Sequence, residues 1–290
     1  MIRICLSILL AAGAAVAEEL PITGVACAVF RSSDLEKSRG FYRGVLGYHE
    51  YDVQASGRME VAFFKVNDEQ YVAILPNLEP GSAVRFDHVV FGTTDLNRLR
   101  GVLAARGLNP TEPATAPDGS RACFVRDPEG NKLAFMQLTR NSIENGMRGK
   151  YSEGRISEHL YHVGLMVSNL DQALEFYGRK LGFTEFWRDG PTPDRPIWFN
   201  LRPPGGRGDY IELMLYSGHL DREQRGAMQH IALEVPDIHA ALKTAVERGH
   251  FDEKKLDMRI GRNRKWQLNL FDPDGTRTEL MEPNAQPQAQ

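Results

Sequence analysis

The sequence predicts an α+β fold in which four units of the form βαβββ follow one another along the chain. Three observations support this prediction. Four alternating strands each lead into a polar turn and an amphipathic helix, the first and third helices share a Phe-Tyr pair, and the second and fourth units share a hairpin sequence. The chain therefore reads as units A, B, A′ and B′, which are two copies of one pair.

Each unit begins with a strand that leads into a helix. The strands lie at 25–30, 88–91, 162–167 and 230–235, and polar turns follow at 33–35, 94–96, 168–170 and 236–238. Ser, Asp and Asn side chains accept hydrogen bonds from the first free amides of a helix, so these turns predict four helix starts. We expect helices of about a dozen residues, ended by Gly47, Gly107, Gly182 and Gly249.

Two signatures show which units correspond. Units A and A′ carry Phe-Tyr at 41–42 and 176–177, and we interpret both tyrosines as core residues because they follow helical spacing. Units B and B′ carry Asp-Pro-Glu-Gly at 127–130 and Asp-Pro-Asp-Gly at 272–275. A proline followed by a late glycine suits a tight turn between strands, so each of these units is expected to end in a hairpin.

Length and composition indicate a globular chain of two domains. With 290 residues, 42% hydrophobic and 25% charged, the chain is roughly twice the usual domain length. The 35 basic and 38 acidic residues give a formal charge of −3, which argues against a general nucleic-acid binder. We predict an N-terminal module at 22–140, a polar linker at 141–158 and a C-terminal module at 159–283.

The ends of the chain predict processing rather than fold. Residues 1–17 combine an early arginine, an apolar stretch and Ala-Val-Ala before two glutamates, which is the pattern of a secretory signal peptide. The mature protein is then secreted or periplasmic, has no membrane span, and retains Cys27 and Cys123, whose pairing the sequence leaves open. The polar segment 284–290 is expected to be a disordered tail.

The repeat, the Phe-Tyr helix and the Asp-Pro-Asp-Gly hairpin resemble the vicinal oxygen chelate superfamily over about residues 22–283. That superfamily includes glyoxalase I, type I extradiol dioxygenases, fosfomycin-resistance enzymes and bleomycin-binding proteins. The resemblance implies that the four units pair into two cup-shaped modules. It also implies that a cup holds a metal ion or a bound small molecule.

Four polar side chains interrupt otherwise apolar strand faces in the second half. Side chains alternate between the two faces of a strand. His162 therefore lies opposite an apolar face of three alternate residues, and His230 does the same in the next unit. Glu212 and Glu279 lie opposite the apolar faces of their own strands. Two imidazoles and two carboxylates are thus expected to line one cup.

The spacing supports one divalent metal site. His162 precedes Glu212 by 50 residues and His230 precedes Glu279 by 49. Two His and two Glu form a donor set for zinc, nickel, cobalt, manganese or ferrous iron, whereas the same groups facing an apolar cup without a cation would be costly. The alternative is that they are ordinary polar residues facing solvent. The resemblance to glyoxalase I implies that these four positions carry the metal ligands.

The first half provides an internal comparison, because it carries other residues at the four corresponding positions. These residues are Cys27, Ala73, His88 and Ala134. Two alanines cannot bind metal, and one thiol with one imidazole is too few donors for a stable site. We therefore expect a degenerate N-terminal module that acts as a scaffold or as a wall of the substrate pocket.

The number of protein ligands decides the predicted chemistry. Four ligands favour Lewis-acid isomerase or lyase chemistry of the glyoxalase I type on a small oxygen-chelating substrate. Either Glu279, which the sequence favours slightly, or Glu212 would then be the base. The resemblance also implies an arginine and an asparagine for glutathione, but Met166 and Tyr216 occupy those positions.

Two alternatives remain open. Three ligands, His162, His230 and Glu279, would form a facial triad for an Fe(II) extradiol-type dioxygenase. The resemblance to those enzymes also implies a histidine near Glu212 and a tyrosine at the position of Asn269, and His219 is only a remote substitute. The second alternative is a non-catalytic protein that binds a small molecule or metal in the cleft. An oligomer is compatible with each of the three hypotheses.

Overall fold

The computed structural model of the chain describes residues 19–53, 60–218 and 220–283. The predicted signal peptide at 1–17, the predicted tail at 284–290 and His219 lie outside the described residues. Within these residues, sixteen strands form two eight-stranded sheets, and each sheet combines two βαβββ units. The predicted fold class, with four units paired into two curled modules, is confirmed. No helix among the described residues is long and apolar enough to cross a membrane.

The N-terminal module contains one sheet in the strand order β2-β3-β4-β1-β5-β8-β7-β6. Its strands are β1 (Ile22–Arg31), β2 (His49–Val53), β3 (Val61–Lys65), β4 (Tyr71–Leu75), β5 (Phe86–Thr93), β6 (Ala114–Thr115), β7 (Arg121–Arg126) and β8 (Lys132–Gln137). Its helices are α1 (Leu35–Arg39), which continues as a π-helical turn over Gly40–Val45, and α2 (Leu96–Ala105). A short helix α3 (Ile143–Gly146) follows in the connection between the modules.

The C-terminal module repeats this order as β10-β11-β12-β9-β13-β16-β15-β14. Its strands are β9 (His159–Val167), β10 (Thr184–Asp189), β11 (Trp198–Arg202), β12 (Tyr210–Leu215), β13 (His230–Glu234), β14 (Met258–Ile260), β15 (Trp266–Phe271) and β16 (Arg277–Glu282). Its helices are α4 (Leu170–Ala173), which continues as π-helix over Leu174–Lys180, α5 (Arg222–Arg225) and α6 (Ile238–Gly249). Short 3₁₀ turns lie at Gly226–Met228 and Glu253–Lys255.

The helices of units A and A′ differ from the expected regular α-helices. Only the first turn of each is α-helical, and the part with the Phe-Tyr pair is π-helical. Both members of each pair, for example Phe41 and Tyr42, are buried. The wider π-helical turn accompanies the burial of two consecutive large rings. The predicted caps are present, with the Asp34 and Asn169 side chains accepting hydrogen bonds from helix amides.

The glycines expected to end the helices behave in two ways. Gly47, Gly107 and Gly182 adopt positive φ after their helices, where a side chain would be strained. Gly249 is instead the last residue of α6, and His250 takes the left-handed conformation with φ of 52°. The helix therefore ends at Gly249 as expected, although the residue in the left-handed conformation is His250 and not the glycine.

Each sheet has an apolar face toward the helices and a second face that lines a cup. The helix-facing sides of both sheets pack into one continuous core. Val163 and Leu165 contribute to this core as predicted, and Phe91 of the first module packs edge-on against Phe183 of the second with ring centroids 5.2 Å apart. The shared core fixes the two modules against each other, so both cups lie on the outer faces of the sheets.

The two cysteines of the described chain are free and buried. Cys27 belongs to the apolar cluster of the first cup, whereas Cys123 belongs to the helix-side core. The two thiols therefore lie on different faces of one sheet, which explains why they do not pair in this structure.

The segment predicted as a linker is partly ordered and covers the first cup. Ile143 and Met147 pack against the apolar cluster of that cup. Lys65, which is fully buried, donates a hydrogen bond from Nζ to Oε2 of the buried Glu144 at 3.4 Å. Helix α3 is thus held to the first module by apolar contacts and by an ion pair.

The tyrosines of units A and A′ form hydrogen bonds across the module boundary with the hairpins of units B′ and B. The Tyr42 hydroxyl of unit A donates to Oδ2 of Asp272 in unit B′ at 3.3 Å, and the Tyr177 hydroxyl of unit A′ donates to Oδ2 of Asp127 in unit B at 2.8 Å. Both tyrosines are core residues, as predicted, but each also has this polar role. The two Asp-Pro-x-Gly hairpins therefore hold the helices of the opposite modules.

The buried Asp272 carboxyl gives a testable pH dependence. Burial raises the pKa of Asp272 from 3.8 to about 6. The folded protein then holds this proton more tightly than the unfolded chain, so the contribution to stability is full below about pH 4 and is lost as the pH rises through about 6. Asp272→Asn has no such proton. The free energy of unfolding of the wild type, relative to this variant, should fall by on the order of 2–3 kcal/mol from about pH 4 to about pH 7.

Urea unfolding at several pH values measures this difference. Tyr42→Phe is the matched control, because it removes the hydroxyl that contacts Asp272 and keeps the titrating carboxyl. That variant should be less stable than wild type and retain the pH slope. Parallel curves for wild type and Asp272→Asn would contradict the proposed role of the buried carboxyl.

Candidate metal centre

The four side chains singled out by the sequence converge in the second cup. The Nε2 atoms of His162 and His230 lie 3.1 Å apart. Oε2 of Glu279 lies 3.6 and 3.5 Å from these two nitrogens, and Oε2 of Glu212 lies 3.9 and 3.8 Å from them. Donor atoms of His162, Glu212 and His230 all lie within 4.8 Å of one another, close enough to hold a single ion.

Both imidazoles are buried and uncharged. Burial, together with the neighbouring imidazole, holds the pKa of His162 well below its ordinary value, and burial together with the Arg277 guanidinium does the same for His230. His230 Nδ1 lies 2.7 Å from the carbonyl oxygen of Met228. Since a carbonyl only accepts, Nδ1 carries the proton and Nε2 presents its lone pair to the cup, as a metal ligand must.

The hydrogen bond between the Tyr210 hydroxyl and His162 is compatible with either tautomer of the imidazole. The hydroxyl oxygen lies 3.0 Å from Nδ1 of His162, and a hydroxyl can either donate or accept. When Tyr210 donates, His162 carries its proton on Nε2 and donates it to His230 Nε2. When Tyr210 accepts, both Nε2 atoms present lone pairs into the same space, which a cation stabilises. The donor set therefore fits a divalent metal and is also satisfied by a hydrogen bond between the rings.

The two carboxyl groups lie so close together that both ionise readily only when a cation lies beside them. Burial and the nearby Glu279 raise the pKa of Glu212 to about 8. Arg277 is the nearby cation, with Nη2 2.6 Å from Nδ1 of His230. Because that nitrogen carries a proton, we interpret the guanidinium as held by the charges of Glu279 and Glu212, which both favour its charged form. A metal ion bound at this site would favour the charged form of Glu212, because an adjacent positive charge lowers the pKa of a carboxyl group.

Gly164 provides the space in which the His230 ring lies. It is paired with His230 across β9 and β13. A Cβ atom added at Gly164 would lie 2.2 Å from Cε1 and 2.3 Å from Nδ1 of His230, which is closer than atoms can approach. His230 therefore occupies its position only because its cross-strand partner has no side chain.

The first cup shows what happens without that space. Val29 pairs with His88 at the position that Gly164 and His230 occupy in the second cup. The His88 ring is held by the neighbouring Asp87, whose Oδ2 lies 2.6 Å from Nδ1. Ala73 and Ala134 have the strand registers of Glu212 and Glu279. The first cup therefore has no carboxylate at these two positions, and Val29 stands where Gly164 leaves the volume for the facing imidazole.

Sequence reasoning missed five contributors to the site, although their positions carry a signal. Gly164, Tyr210 and Arg277 each lie two residues from a predicted ligand on the same strand, so side-chain alternation alone places them on the cup face. Asn200 and Asn269 pair with Glu212 and Glu279 on neighbouring strands. Both Asn Oδ1 atoms are buried and have no hydrogen-bond partner in the structure.

The comparisons with known proteins agree with this fold. The model of the Glyoxalase/Bleomycin resistance protein/Dioxygenase superfamily matches residues 24–135 and 159–280, which is more than half of the chain. The chain therefore belongs to this superfamily, and the resemblance found in the sequence is confirmed. A search of curated protein sequences found no match.

Solved structures with a similar fold include dioxygenases and a glyoxalase. The 2,3-dioxygenase LapB from Pseudomonas sp. KL28 has a TM-score of 0.70 at 18% identity, covering 94% of this chain and 97% of its own. An extradiol ring-cleaving dioxygenase from B. fuscum has a TM-score of 0.68 at 18% identity, covering 94% and 76%. The Mn(II)-bound glyoxalase from Novosphingobium aromaticivorans has a TM-score of 0.64 at 17% identity, covering 91% and 83%. At these identities the likeness concerns the fold.

The contact between Gly164 and His230 gives a test of the metal centre that leaves every ligand in place. We expect Gly164→Ala to displace the His230 ring and to weaken metal binding at least about tenfold, since orienting a ligand contributes this much to affinity. Calorimetric titration of the metal-stripped protein with Zn²⁺ or Ni²⁺ measures the change.

Val29→Ala is the matched control, because it changes the equivalent residue of the first cup. This variant should bind metal with wild-type stoichiometry and affinity. Equal metal affinity of Gly164→Ala and wild type would show that the His230 ring does not take part in binding.

Proposed function

We propose that the protein is a metal-dependent enzyme with glyoxalase I-like isomerase or lyase chemistry on a small oxygen-chelating substrate. The observation that carries this proposal is the convergence of two neutral imidazoles and two carboxylates in the second cup. A divalent metal bound there would act as a Lewis acid and polarise a substrate carbonyl. Four protein ligands on an octahedral ion leave about two positions for such a chelate.

The residues of the cup would divide the work of binding and proton transfer. His162, His230 and Glu279 would hold the metal firmly and Glu212 would be a loosely held fourth ligand, while Tyr210 and the Met228 carbonyl orient the two imidazole rings. A carboxylate beside the chelated substrate would remove the proton from the hydroxyl-bearing carbon next to the polarised carbonyl and return it to the former carbonyl carbon, while the hydroxyl proton passes from one substrate oxygen to the other. The same carboxylate then begins and ends the cycle in the same protonation state.

We assign the base to Glu212 rather than to Glu279, which the sequence alone favoured slightly. The Glu212 carboxylate lies farther from both imidazoles, and its side chain is 13% exposed against 7% for Glu279. A base must reach the substrate as well as the metal, so the more accessible carboxylate suits this role. Glu279, deeper in the cup and beside Arg277 on β16, suits a permanent ligand.

The unpartnered amides suggest how a substrate would be oriented. The Oδ1 atoms of Asn200 and Asn269 flank the two carboxylates and need hydrogen-bond donors. Substrate hydroxyl groups can supply these donors. Arg277 provides a positive charge at the same site for an oxygen that becomes more negative during proton removal.

We further propose that the substrate is not a glutathione adduct. Met166 is buried on the cup side of β9 and Tyr216 lies at the exposed end of β12, so neither offers a cation or an amide to a tripeptide carboxylate. The signal-peptide pattern at 1–17 supports a secreted or periplasmic enzyme, which would meet little of this thiol.

An Fe(II) extradiol-type dioxygenase is the second candidate, favoured by the similar folds of two extradiol dioxygenases. It would use His162, His230 and Glu279 as a facial triad with Glu212 unbound. The residues around this triad support the first proposal better, because Glu212 and Asn269 occupy the positions where the resemblance implies a histidine and a tyrosine. A non-catalytic metal- or ligand-binding protein is the third candidate.

The roles of the two glutamates can be separated by amide variants. Glu212→Gln should keep about one metal per chain and lower kcat about 100-fold or more, since it removes the base and leaves the site assembled. Glu279→Gln should lose most of the metal. Metal analysis and kcat, measured on the same samples, distinguish the two outcomes.

Glu234→Gln is the matched control, because Glu234 lies on β13 and pairs with His159 through Nδ1 at 2.6 Å. It should keep both the metal and the activity. Loss of metal from Glu212→Gln with retained metal in Glu279→Gln would exchange the assigned roles.

The reaction class can be tested on the metal-loaded wild type. Proton NMR in D₂O should show exchange of the C–H proton of an α-hydroxycarbonyl compound or of a hemithioacetal formed with a simple thiol. The rate should depend on added Ni²⁺, Zn²⁺ or Mn²⁺. An oxygen electrode with catechol and Fe(II)-loaded protein should show no uptake above the protein-free rate. Catechol-dependent oxygen uptake would replace the first proposal with the second, and metal binding without either reaction would support the third.

A further inference from the structure

We propose that the cup of the N-terminal module is a second binding site, for a small uncharged aromatic molecule that carries one hydrogen-bond donor such as a hydroxyl. The cup contains a cavity of about 250 Å³ between the sheet and the loop at 114–118. This site needs no metal, so the proposal does not depend on the function proposed for the second cup.

The cavity exists because small residues occupy the positions of the metal ligands. Ala73 and Ala134 line it where the second cup has Glu212 and Glu279. The sheet therefore has the curvature of the metal-binding cup without the side chains that fill its centre. An apolar cavity of about 150 Å³ is large enough to bind benzene, so the cavity in this module can hold a substituted ring.

Four of the residues that line the cavity carry aromatic rings, namely Phe63, Tyr71, His88 and Phe124. Phe63 stacks on Tyr51 with ring centroids 5.3 Å apart and tilts against Tyr71 at 5.3 Å. On another side of the cavity Phe124 packs edge-on against His88 at 5.6 Å. Flat, mainly apolar walls favour a flat apolar ligand, because aromatic groups pack face to edge or offset over one another.

One buried acceptor in the lining has no partner. Asp118 is 2% exposed, and its Oδ1 accepts hydrogen bonds from the backbone and the hydroxyl of Ser120. Its Oδ2 is buried without a hydrogen-bond partner. A buried carboxylate oxygen without a donor is costly, so a ligand hydroxyl or N–H that fills this role would gain affinity and orientation.

The same surroundings exclude an anion and disfavour a cation. An anionic ligand would meet the Asp118 carboxylate, and burial with the nearby Glu144 and Asp118 raises the pKa of the Cys27 thiol. A cation would lose its water against apolar walls, and the ammonium of Lys132 already lies 4.1 Å from the centroid of Phe124. A neutral ligand such as a phenol avoids both costs.

Methionine methyl groups provide a reporter in each cup. Met136 lines the first cavity, and the Tyr71 hydroxyl lies 3.1 Å from its sulfur. Met166 and Met214 lie on the cup side of β9 and β12 in the second module. We therefore propose to label the methionine methyl groups of the full chain with ¹³C and to titrate the protein with phenol. Met136→Leu identifies the Met136 signal.

The expected result is a saturable shift of the Met136 signal without a shift of the Met166 and Met214 signals. His162→Ala, which disables the metal centre, should give the same titration. Shifts confined to the second-module methionines, or no shift of Met136 up to the solubility of phenol, would overturn the proposal. Tighter binding of benzylammonium than of phenol would overturn the assignment of a neutral ligand.

Two variants test the cavity and the acceptor separately. Ala134→Leu fills the cavity at a position where the second cup tolerates a glutamate, and it should abolish the phenol shift. Asp118→Asn replaces the free oxygen with a donor group. It should weaken phenol binding about tenfold and leave toluene binding within about twofold, since only phenol has a hydroxyl to donate.

Circular dichroism and metal content confirm that both variants are folded. The comparison of phenol with toluene within Asp118→Asn needs no reference to another variant, so it tests the acceptor even if Ala134→Leu fails to fold. An equal loss of both ligands in Asp118→Asn would show that Asp118 shapes the cavity and does not receive a hydrogen bond from the ligand.

Discussion

The candidate metal centre depends on the absence of one side chain. Gly164 leaves the volume in which the His230 imidazole lies, and the two Nε2 atoms can face each other at 3.1 Å only with that ring in place. The first cup has the same strands and the same register, but Val29 occupies the corresponding position and His88 is held by Asp87. This steric difference, together with Ala73 and Ala134 in place of the two glutamates, accompanies the difference between a cluster of donors and an apolar cavity.

The polar groups of the second cup are buried or partly buried, and each depends on a neighbouring polar group for a hydrogen bond or for charge balance. The imidazoles are buried and neutral, Glu279 is buried, Glu212 is 13% exposed and faces the same imidazoles, and Arg277 is a nearby cation. Tyr210 can give or take a hydrogen bond, so it can follow a change of tautomer in His162 without moving. Such a site can accept a cation without rearranging the strands that carry it, because the adjustment is confined to protons.

The four candidate ligands could be predicted from the sequence, because the alternation of residues along a strand shows which side chains share a face. Alternation places His162 and His230 opposite the core, and equal spacing in two repeats indicates that the glutamates share their cup. The same rule places Tyr210 and Arg277 on the cup face, but neither is a usual metal ligand, so a search for metal-binding residue types does not find them. The role of Gly164 could not be predicted in this way. It depends on the distance between two strands and the orientation of one ring, and the pattern of residues encodes neither.

The helices and hairpins show which structural features the sequence does not predict. The polar turns correctly indicated where the helices begin, because capping is a local interaction. The π-helical turns and the partners of the Asp-Pro-x-Gly hairpins follow from contacts between residues far apart in the chain, such as Tyr42 with Asp272. Shared fold among proteins of 17–18% identity shows that this framework tolerates almost complete replacement of sequence. The chemistry of the protein therefore has to be inferred from the side chains that line the cups and not from the fold.

The exchange of tyrosine and aspartate across the module boundary has an evolutionary consequence. Each hairpin binds a helix of the other module. Removal of the N-terminal module would therefore remove Asp127, the partner of Tyr177 in the C-terminal module. The N-terminal module would then be retained for these structural contacts, whichever residues line the first cup. A duplicated module that supports the other module in this way can lose one chemistry and acquire another, because its structural role is sufficient for it to be retained.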